Sequence, residues 1–281
     1  MIIDFATWLR LCKALARSNA QHQKIYMKFT FLGTSTSVGI PVIGCDCPRC
    51  TSSDPKNQRM RASVHVESEE ISLLVDSGPD LRQQALRHNL RKVDAVLYTH
   101  QHLDHIAGFD ELRAFCWHRE DPLPLYSTPA CLDELIRVYD WAFAADNTYK
   151  GYIKPDPRPI TEPITLGNIT VTPLPVIHGK VETIGYRFDT DKLSIAYIPD
   201  VKVILPETFA LLENLDHLVI DALREHEHHT HMSVSEATAA AQKINAKQTW
   251  LTHISHEMDC QLVEAELPAN IRFAYDTLTI E

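Results

Sequence analysis

The stretch THQHLDHIAG, residues 99–108, places three histidines and one aspartate at the end of an apolar strand; they are His100, His102, Asp104 and His105. His100 and His102 are alternate residues, so an extended segment projects both side chains toward one point. Asp104 and His105 lie past the following turn and can address a neighbouring point. Because imidazole and carboxylate groups are ligands of Zn²⁺, Mn²⁺ and Fe²⁺, this stretch predicts two adjacent metal positions.

Further ligands must come from elsewhere in the chain, since each metal position needs three or more protein ligands. Three isolated residues stand in matching places, each at the tip of a predicted strand: His178 after ITVTPLPVI, Asp200 after LSIAYIP and His253 at the end of QTWLTH. Two divalent ions about 3.5 to 4 Å apart share a water and lower its pKa toward neutrality. The resulting hydroxide can attack phosphorus or a carbonyl carbon, so the seven residues predict a dinuclear hydrolytic site.

A second group of metal-binding side chains lies in GCDCPRC, residues 44–50, which contains Cys45, Cys47 and Cys50. Cys47 and Cys50 form a C-x-x-C pair, but the pair does not open a helix of a thioredoxin-like unit and leaves Cys45 over. The seven cysteines are odd in number and unevenly spaced, which argues against a disulfide framework and for a reducing cytoplasm. Three thiolates predict a tetrahedral zinc site that needs one more ligand.

Composition bounds the class of protein and its partners. The 281 residues are 44% hydrophobic and 23% charged, as in an ordinary soluble globular protein with one large domain. The net charge of −10 works against a general nucleic-acid binder, because neutralising phosphates requires clustered Lys and Arg. No run approaches the roughly 18 consecutive apolar residues of a membrane span, and the first ten residues lack a clean secretory signal. We therefore expect a cytoplasmic protein with neither a nucleic-acid nor a membrane partner.

Two strand-rich halves organise the chain. The first contains KFTFLG, SVHVES, ISLLVDSG and VDAVLYTH, followed by a predicted helix in GFDELRAFCW. The second contains ITVTPLPVIHG, TIGYRFD, LSIAYIPD, LDHLVIDAL, QTWLTHISH and IRFAYDTLTI. Further helices are predicted over residues 133–143 and in SVSEATAAAQKI. Two such halves predict two packed sheets with helices outside, an α/β fold with a four-layer αββα sandwich.

Two segments are predicted to lie outside this arrangement. Residues 1–26 predict a weakly amphipathic helix that extends a hydrolase domain over residues 27–281. We interpret the extension as dispensable or as the product of an upstream start codon, with a functional anchor as the alternative. Residues 146–163 predict a solvated loop, and the alternative is a lid or homodimer contact built on Trp141, Phe143 and nearby tyrosines.

The pattern His-x-His-x-Asp-His, followed by an isolated His, an isolated Asp and a final His at strand ends, resembles the metallo-β-lactamase-fold hydrolases over residues 27–281. The resemblance implies one metal held by His100, His102 and His178. It implies a second metal held by Asp104, His105 and His253, a bridging role for Asp200, and a catalytic role for Asp104 besides its ligand role. Asp76 in LLVDSG matches a residue that orients ligands. The implied cofactors are two divalent ions, Mn²⁺ or Zn²⁺.

Three local features resemble the phosphodiesterases of the carbon-phosphorus lyase pathway, which open cyclic ribose phosphates: FLGTSTSVGIPVIGCDCPRC, THISHEMD, and the histidine of THMSVSEA. This resemblance implies that His231 contacts phosphate or protonates the leaving group, with His228 and His229 as alternatives. A His with an ordinary pKa near 6.5 can donate a proton near neutrality. The resemblance also implies that His256 joins the three cysteines around one structural Zn²⁺.

Phosphate contact has two further candidates, Arg59 and Arg61 in NQRMRAS, because guanidinium binds phosphate bidentately; two solvated arginines are the alternative. The expected function is a dinuclear metal-dependent phosphodiesterase that opens a small cyclic ribose phosphate of the phosphoribosyl 1,2-cyclic phosphate type. Alternatives are a hydrolase of a thioester, lactone or other ester, and a nuclease of the tRNA 3′-processing branch. A further alternative is a metal-binding interaction or electron-transfer protein that uses the fold without hydrolysis. The flavo-diiron proteins of this fold replace one His and carry a flavodoxin domain, whereas the full His set is present here and we expect no such domain.

Overall fold

The computed structural model describes residues 27–281, so the helix expected over residues 1–26 lies outside the described residues, and the domain boundary at residue 27 stays a prediction. The strands of the first sheet are β1 (Lys28–Gly33), β2 (Ser63–Glu67), β3 (Ser72–Val75), β4 (Ala95–Leu97), β5 (Leu123–Ser127) and β6 (Pro155–Pro159). Those of the second are β7 (Ile164–Leu166), β8 (Ile169–His178), β9 (Val181–Asp189), β10 (Ser194–Ile198), β11 (Val203–Ile204), β12 (His217–Asp221), β13 (Gln248–Thr252) and β14 (Ile271–Phe273). A last strand, β15 (Thr279–Ile280), returns to the first sheet.

The strand order in space is β15-β1-β2-β3-β4-β5-β6 in the first sheet and β11-β8-β9-β10-β12-β13-β14 in the second, with β7 paired to β8. The helices are α1 (Leu81–Arg87), α2 (Leu103–Ile106), α3 (Arg113–Cys116), α4 (Pro129–Val138), α5 (Asp140–Phe143), α6 (Pro206–Ala210), α7 (Val234–Ile244) and α8 (Cys260–Glu264), with 3₁₀ turns at Pro55–Asn57 and Phe109–Leu112. No helix within residues 27–281 is long and apolar enough to cross a bilayer.

Three hydrophobic clusters separate four layers. The central cluster joins the facing sheets through residues such as Phe29 and Phe188. A second cluster packs α7 on the outer face of the second sheet, and a third packs α1 and α4 on the outer face of the first. Strand β3 shows why the layers form: its Leu73 points into the central cluster and its Leu74 into the outer one, because successive side chains alternate between faces. The αββα sandwich predicted from the sequence is confirmed.

Four local predictions differ from the structure. The helix expected over residues 133–143 is divided into α4 and α5, and IRFAYDTLTI contains two strands, β14 and β15, that belong to different sheets. The stretch GFDELRAFCW forms a 3₁₀ turn at Phe109–Leu112 before the short α3, rather than one helix. The predicted loop over residues 146–163 contains β6, an exposed strand that, among the described residues, pairs with β5 alone and forms the edge of the first sheet. Its prolines occupy the alternate positions 155, 157 and 159, so their backbone nitrogens all face the same side of the strand. That side is the one away from β5, where no N–H group is needed for pairing, so an edge strand tolerates them.

The carboxyl ends of the parallel strands define one edge of the sandwich. Strands β3, β4 and β5 run parallel in the first sheet, and β10, β12 and β13 run parallel in the second. Their carboxyl ends therefore lie at the same edge within each sheet. The sequence motifs with His and Asp follow β4, β10 and β13 immediately, which brings those side chains to that edge.

Acid is expected to destabilise the fold through His65, a buried residue of β2 whose Nε2 lies 2.8 Å from Ser72 Oγ. Burial lowers the pKa of His65 from 6.5 to about 4. A lowered folded-state pKa means that the stabilising effect is complete above pH 6.5 and is lost as the pH falls toward 4. The loss is on the order of 3 kcal/mol in free energy of unfolding.

Urea unfolding of the wild type and of His65→Gln between pH 4 and pH 7 measures this effect, because the variant lacks the titrating imidazole. Between pH 7 and pH 4, we expect the unfolding free energy of the variant to fall by about 3 kcal/mol less than that of the wild type. His118→Gln is the matched control, since His118 is exposed. Parallel pH profiles for the wild type and His65→Gln would contradict the assignment.

Candidate metal centre

The first proposed ligand group consists of His100, His102 and His178. His100 Nε2 lies 2.8 Å and His178 Nε2 3.4 Å from His102 Nδ1. His100 and His178 are buried, whereas His102 is exposed at the mouth of the site. Three nitrogens at these separations converge on one point, as a cation with nitrogen ligands requires.

The second proposed group consists of Asp104, His105 and His253. His105 Nε2 lies 3.3 Å from Asp104 Oδ2, and His253 Nε2 lies 3.9 Å from the same oxygen. Asp104 and His105 belong to α2, whose first residue follows His102 directly. One short turn of helix thus carries the chain from the first group to the second.

Asp200 lies between the two groups. Its Oδ2 is 3.2 Å from His105 Nε2, and its Oδ1 is 3.3 Å from His253 Nε2 and 3.8 Å from His178 Nε2. Burial acts to raise the pKa of Asp200, but the imidazoles of His253 and His105 outweigh it and hold that pKa well below its usual range. A carboxylate shared by both groups is what a bridging ligand requires.

Unpaired polar atoms of the ligand groups indicate that the site is suited to cations. Among the described residues, His105 Nε2, His253 Nε2 and Asp200 Oδ2 are buried without a hydrogen-bond partner, although each faces the cluster. Buried polar atoms in proteins are nearly always paired, so these atoms need a partner of another kind. Burial also lowers the pKa of His178 to about 4 and that of His100 well below its usual value, which keeps both imidazoles neutral as metal ligands must be.

Hydrogen bonds from the far side orient the imidazoles. Asp76 Oδ2 lies 2.8 Å from His105 Nδ1, and Asp76 accepts bonds of 2.8 and 2.9 Å from the backbone N–H and the hydroxyl of Thr99. His178 Nδ1 donates to the carbonyl oxygen of Thr230 at 2.8 Å. In both histidines the Nε2 atom is thereby turned toward the cluster. The orienting role expected for Asp76 agrees with this contact.

Two of these residues have a left-handed backbone. The φ angles of Asp76 and His253 are 62° and 59°. For a residue other than glycine this conformation costs roughly 1 kcal/mol or more, and it persists where the surrounding structure enforces it. In both residues the strained backbone lies directly after a strand and directs the side chain into the cluster.

His231 lies beside this cluster, paired with a residue that the sequence analysis missed. His231 Nδ1 is 2.7 Å from Asp221 Oδ2 and 3.8 Å from Asp200 Oδ1. Asp221 is fully buried at the end of β12 and also lies 3.9 Å from His253 Nδ1. The alternatives His228 and His229 lie farther out, with the ring of His228 centred 5.2 Å from that of His231.

The four predicted zinc ligands come together in a second place. The Sγ atoms of Cys45, Cys47 and Cys50 lie 3.3, 3.5 and 3.5 Å from His256 Nδ1. Ligands of a tetrahedral zinc with bonds of about 2.0 to 2.3 Å are separated by about 3.5 Å, so the four atoms match a closed site.

The pKa values of two of these thiols are shifted in opposite directions. The backbone N–H of Cys50 lowers the pKa of the Cys47 thiol to about 6, whereas burial raises the pKa of Cys50 to about 11. A cation between the sulfurs would stabilise the Cys50 thiolate, which burial alone disfavours.

This cysteine loop is attached to the segment that carries His253. The backbone N–H of Ile254 donates to the carbonyl oxygen of Thr34 at 3.0 Å, and Arg49 pairs with Asp259 at 2.8 Å. His256 stands three residues after His253. Both ends of the segment that follows β13 are thus attached, and a metal at the cysteine site would hold its middle through His256.

Neither predicted arginine donates to the metal centre within residues 27–281. Arg59 is buried and its guanidinium donates to Thr34 Oγ1 and to the carbonyl oxygen of Ala274, at 2.8 and 2.6 Å. Arg61 pairs with Asp80 at 3.0 Å. Phosphate contact by either stays a prediction, and the geometry gives Arg59 a role in holding the residue after β1 against the C-terminal segment.

Comparisons with known proteins agree with this geometry. The sequence profile of a β-lactamase superfamily domain matches residues 72–254. An octanoyltransferase from Porphyromonas gingivalis is 34% identical over 262 residues; the match covers 90% of this chain and 51% of the relative, so the chain spans about half of that protein's length.

Two solved structures are similar throughout. A new diphosphatase from the PhnP family is 38% identical with a TM-score of 0.83, and the match covers 90% of this chain and 96% of that one. Zn²⁺-bound PqqB from Methylobacterium extorquens is 23% identical with a TM-score of 0.71 and coverages of 90% and 99%, which shows a shared fold.

Proposed function

The chain belongs to the β-lactamase superfamily, and from that premise we propose that it is a dinuclear metal-dependent phosphodiesterase that opens a small cyclic ribose phosphate. The observation that carries the proposal is the His231–Asp221 pair beside the metal centre, with His231 Nδ1 3.8 Å from Asp200 Oδ1. A proton donor next to two cation positions suits cleavage of a phosphoester whose leaving oxygen must be protonated. The 38% identity to a PhnP-family diphosphatase supports chemistry at phosphorus.

We assign one ion to the group of His100, His102 and His178 and the other to the group of Asp104, His105 and His253, with Asp200 shared; Mn²⁺ and Zn²⁺ both suit these donors. Two bound ions would supply a hydroxide nucleophile at neutral pH and offset the negative charge that develops on the phosphate. Asp104 has a catalytic as well as a ligand role in this proposal. A small phosphorylated substrate fits, and a homodimer stays a prediction.

His231 protonates the leaving oxygen in this proposal. Its Nδ1 is bound to Asp221, so Nε2 is the atom left for the substrate. Burial lowers the pKa of His231 while the carboxylates of Asp200 and Asp104 act to raise it, and the negative charge of a bound phosphate adds to the second effect. Asp221 binds Nδ1 and fixes the ring orientation, so the proton given to the leaving oxygen is the one on Nε2 of the doubly protonated imidazole.

A second candidate is hydrolysis of a diphosphate, because the 38% identical structure is described as a diphosphatase. Both reactions attack phosphorus and differ in the leaving group, which is a sugar hydroxyl in one and a phosphate in the other. A phosphate leaves without protonation more readily than an alkoxide does, so the need for His231 differs between the two.

A substrate panel on one metal-loaded sample tests the proposed function. It contains a ribose 1,2-cyclic phosphate, a diphosphate diester, bis(p-nitrophenyl) phosphate, a thioester and a lactone. We expect the highest kcat/KM on the cyclic phosphate. Preference for the diphosphate would select the second candidate, and preference for the thioester or lactone would refute phosphoester hydrolysis.

Substitution at the His231–Asp221 pair should separate catalysis from metal binding. We expect His231→Ala to lower kcat on the cyclic phosphate by about 10² to 10⁴-fold, the usual contribution of a positioned proton donor. Asp221→Asn should lower it by about 10 to 100-fold, as expected for a residue that orients a partner.

The readouts are kcat and metal content. Both variants should retain the metal content of the wild type, and His231→Ala should lose less on bis(p-nitrophenyl) phosphate, whose nitrophenolate leaves without a proton. His226→Ala is the control, on an exposed histidine of the same loop. Equal losses on the two substrates would contradict the role of proton donor.

A further inference from the structure

A cavity of about 360 Å³ lies on the outer helical layer of the first sheet, between α1 and α3. None of the residues that line it belongs to either proposed metal site. It is within the usual size range of small-molecule sites, which is roughly 300 to 1,000 Å³.

The floor and the rim of this cavity differ in exposure. Leu81, Leu90 and Phe115 form an apolar floor and pack against the outer hydrophobic cluster. Leu86 and Trp117 stand at the rim with 65% and 61% of their surface exposed. Two large apolar side chains left in water beside an apolar floor mark a surface on which an apolar group would be buried favourably.

Three arginines surround the same cavity: Arg82, Arg91 and Arg113. All are exposed, and among the described residues the carboxylate of Glu111 is the one that lines the cavity. Within residues 27–281, Arg82 and Arg91 have no ion-pair partner, and Arg113 has only a 3.4 Å contact with Asp110. The cavity therefore carries excess positive charge on a protein whose net charge is −10.

We propose that this cavity binds a small amphipathic anion, an aromatic or short acyl group that carries a carboxylate, sulfonate or phosphate. The apolar part lies on Leu90 and Phe115 beside the indole of Trp117, and the anionic part pairs with Arg82 and Arg91. Arginine suits this role, because its planar guanidinium binds oxyanions bidentately and packs on aromatic rings. The charge of the rim selects the anion over neutral or cationic ligands of the same shape.

Dye binding to the full chain tests the proposal. The probe is 8-anilinonaphthalene-1-sulfonate, and N-phenyl-1-naphthylamine serves as its uncharged counterpart. We expect saturable binding of the sulfonate at one site per chain, with affinity at least about tenfold lower in Arg82→Ala/Arg91→Ala, the change expected on losing one charge-assisted hydrogen bond. The wild type should bind the uncharged dye more weakly than it binds the sulfonate. The variant should bind the uncharged dye as tightly as the wild type does.

Matched variants test whether the effect is specific to this cavity. Arg137→Ala/Arg272→Ala removes the same net charge from exposed positions elsewhere and should leave both affinities unchanged. Trp117→Ala should weaken both dyes. Hydrolysis of bis(p-nitrophenyl) phosphate should stay within about twofold in all these variants, since none touches the metal centre.

Three results would overturn the proposal. The first is equal affinity of the sulfonate for the wild type and Arg82→Ala/Arg91→Ala. The second is equal affinity of the two dyes for the wild type, which would make the cavity a merely apolar surface. The third is the absence of saturable binding by the full chain.

Discussion

Replacing Asp200 with alanine is expected to lower kcat/KM on bis(p-nitrophenyl) phosphate by about 10³-fold or more and to release at least one of the two proposed ions. The reason is the position of this carboxylate, whose two oxygens lie within 3.8 Å of imidazole nitrogens from both ligand groups. Without it each cation position has only its own three donors. Loss of an ion would remove the water that two ions share and half of the positive charge that offsets the charge developing on the phosphate, so the transition state would be less stabilised.

The measurement combines steady-state kinetics with elemental analysis of the same sample. Asp200→Asn preserves the volume of the side chain and removes its charge, so it should lose activity to a similar extent without leaving a cavity. Asp189→Ala is the control on a half-buried carboxylate that pairs with Arg187, remote from the cluster. Wild-type activity and metal content in both Asp200 variants would refute the bridging assignment.

Local spacing and strand ends made the convergence of the candidate metal ligands predictable. His100, His102, Asp104 and His105 lie within six residues, so their convergence needs only one strand end and one turn. His178, Asp200 and His253 are distant in sequence, but each closes an apolar strand, and parallel strands end at one edge. The central sheets were predictable for the same reason, since their apolar runs are long and bounded by turn residues.

Contacts between distant segments could not be predicted from the sequence. Asp221 closes the apolar strand LDHLVID just as Asp200 closes LSIAYIPD, so the signal was present in the sequence. Its role follows from a 2.7 Å contact with His231 across a loop, which spacing does not reveal. Arg59 was misleading in the opposite sense, because a charged residue in a polar run suggests an exposed one, whereas Thr34 and Ala274 provide acceptors that keep it buried.

Backbone hydrogen bonds connect the two candidate metal sites in the structure. His253 adopts a φ of 59°, and the next residue exchanges backbone hydrogen bonds with the segment that leads from β1 into the cysteine loop. A strained residue keeps its conformation only while its neighbours hold it. The cysteine site thus supports the position of His253 and with it the second ligand group.

Substituting Cys47 with serine should therefore affect both sites. We expect the variant to lose about one zinc per chain and several kcal/mol of unfolding free energy, because structural zinc binding is coupled to folding. Loss of the ion frees His256 from its 3.5 Å approach to Cys47 and loosens the segment that holds His253. Activity should then fall by about 10 to 100-fold, the range seen when support for a metal ligand is removed.

Elemental analysis, urea unfolding and hydrolysis of bis(p-nitrophenyl) phosphate on one preparation test all three consequences. Cys116→Ser is the matched control, because Cys116 is a half-buried free cysteine outside both metal sites. Excess Mn²⁺ should restore part of the activity by refilling the weakened second ligand group, while the unfolding free energy stays low. Unchanged zinc content in Cys47→Ser would refute the structural zinc, whereas loss of zinc with full activity would refute only its connection to His253.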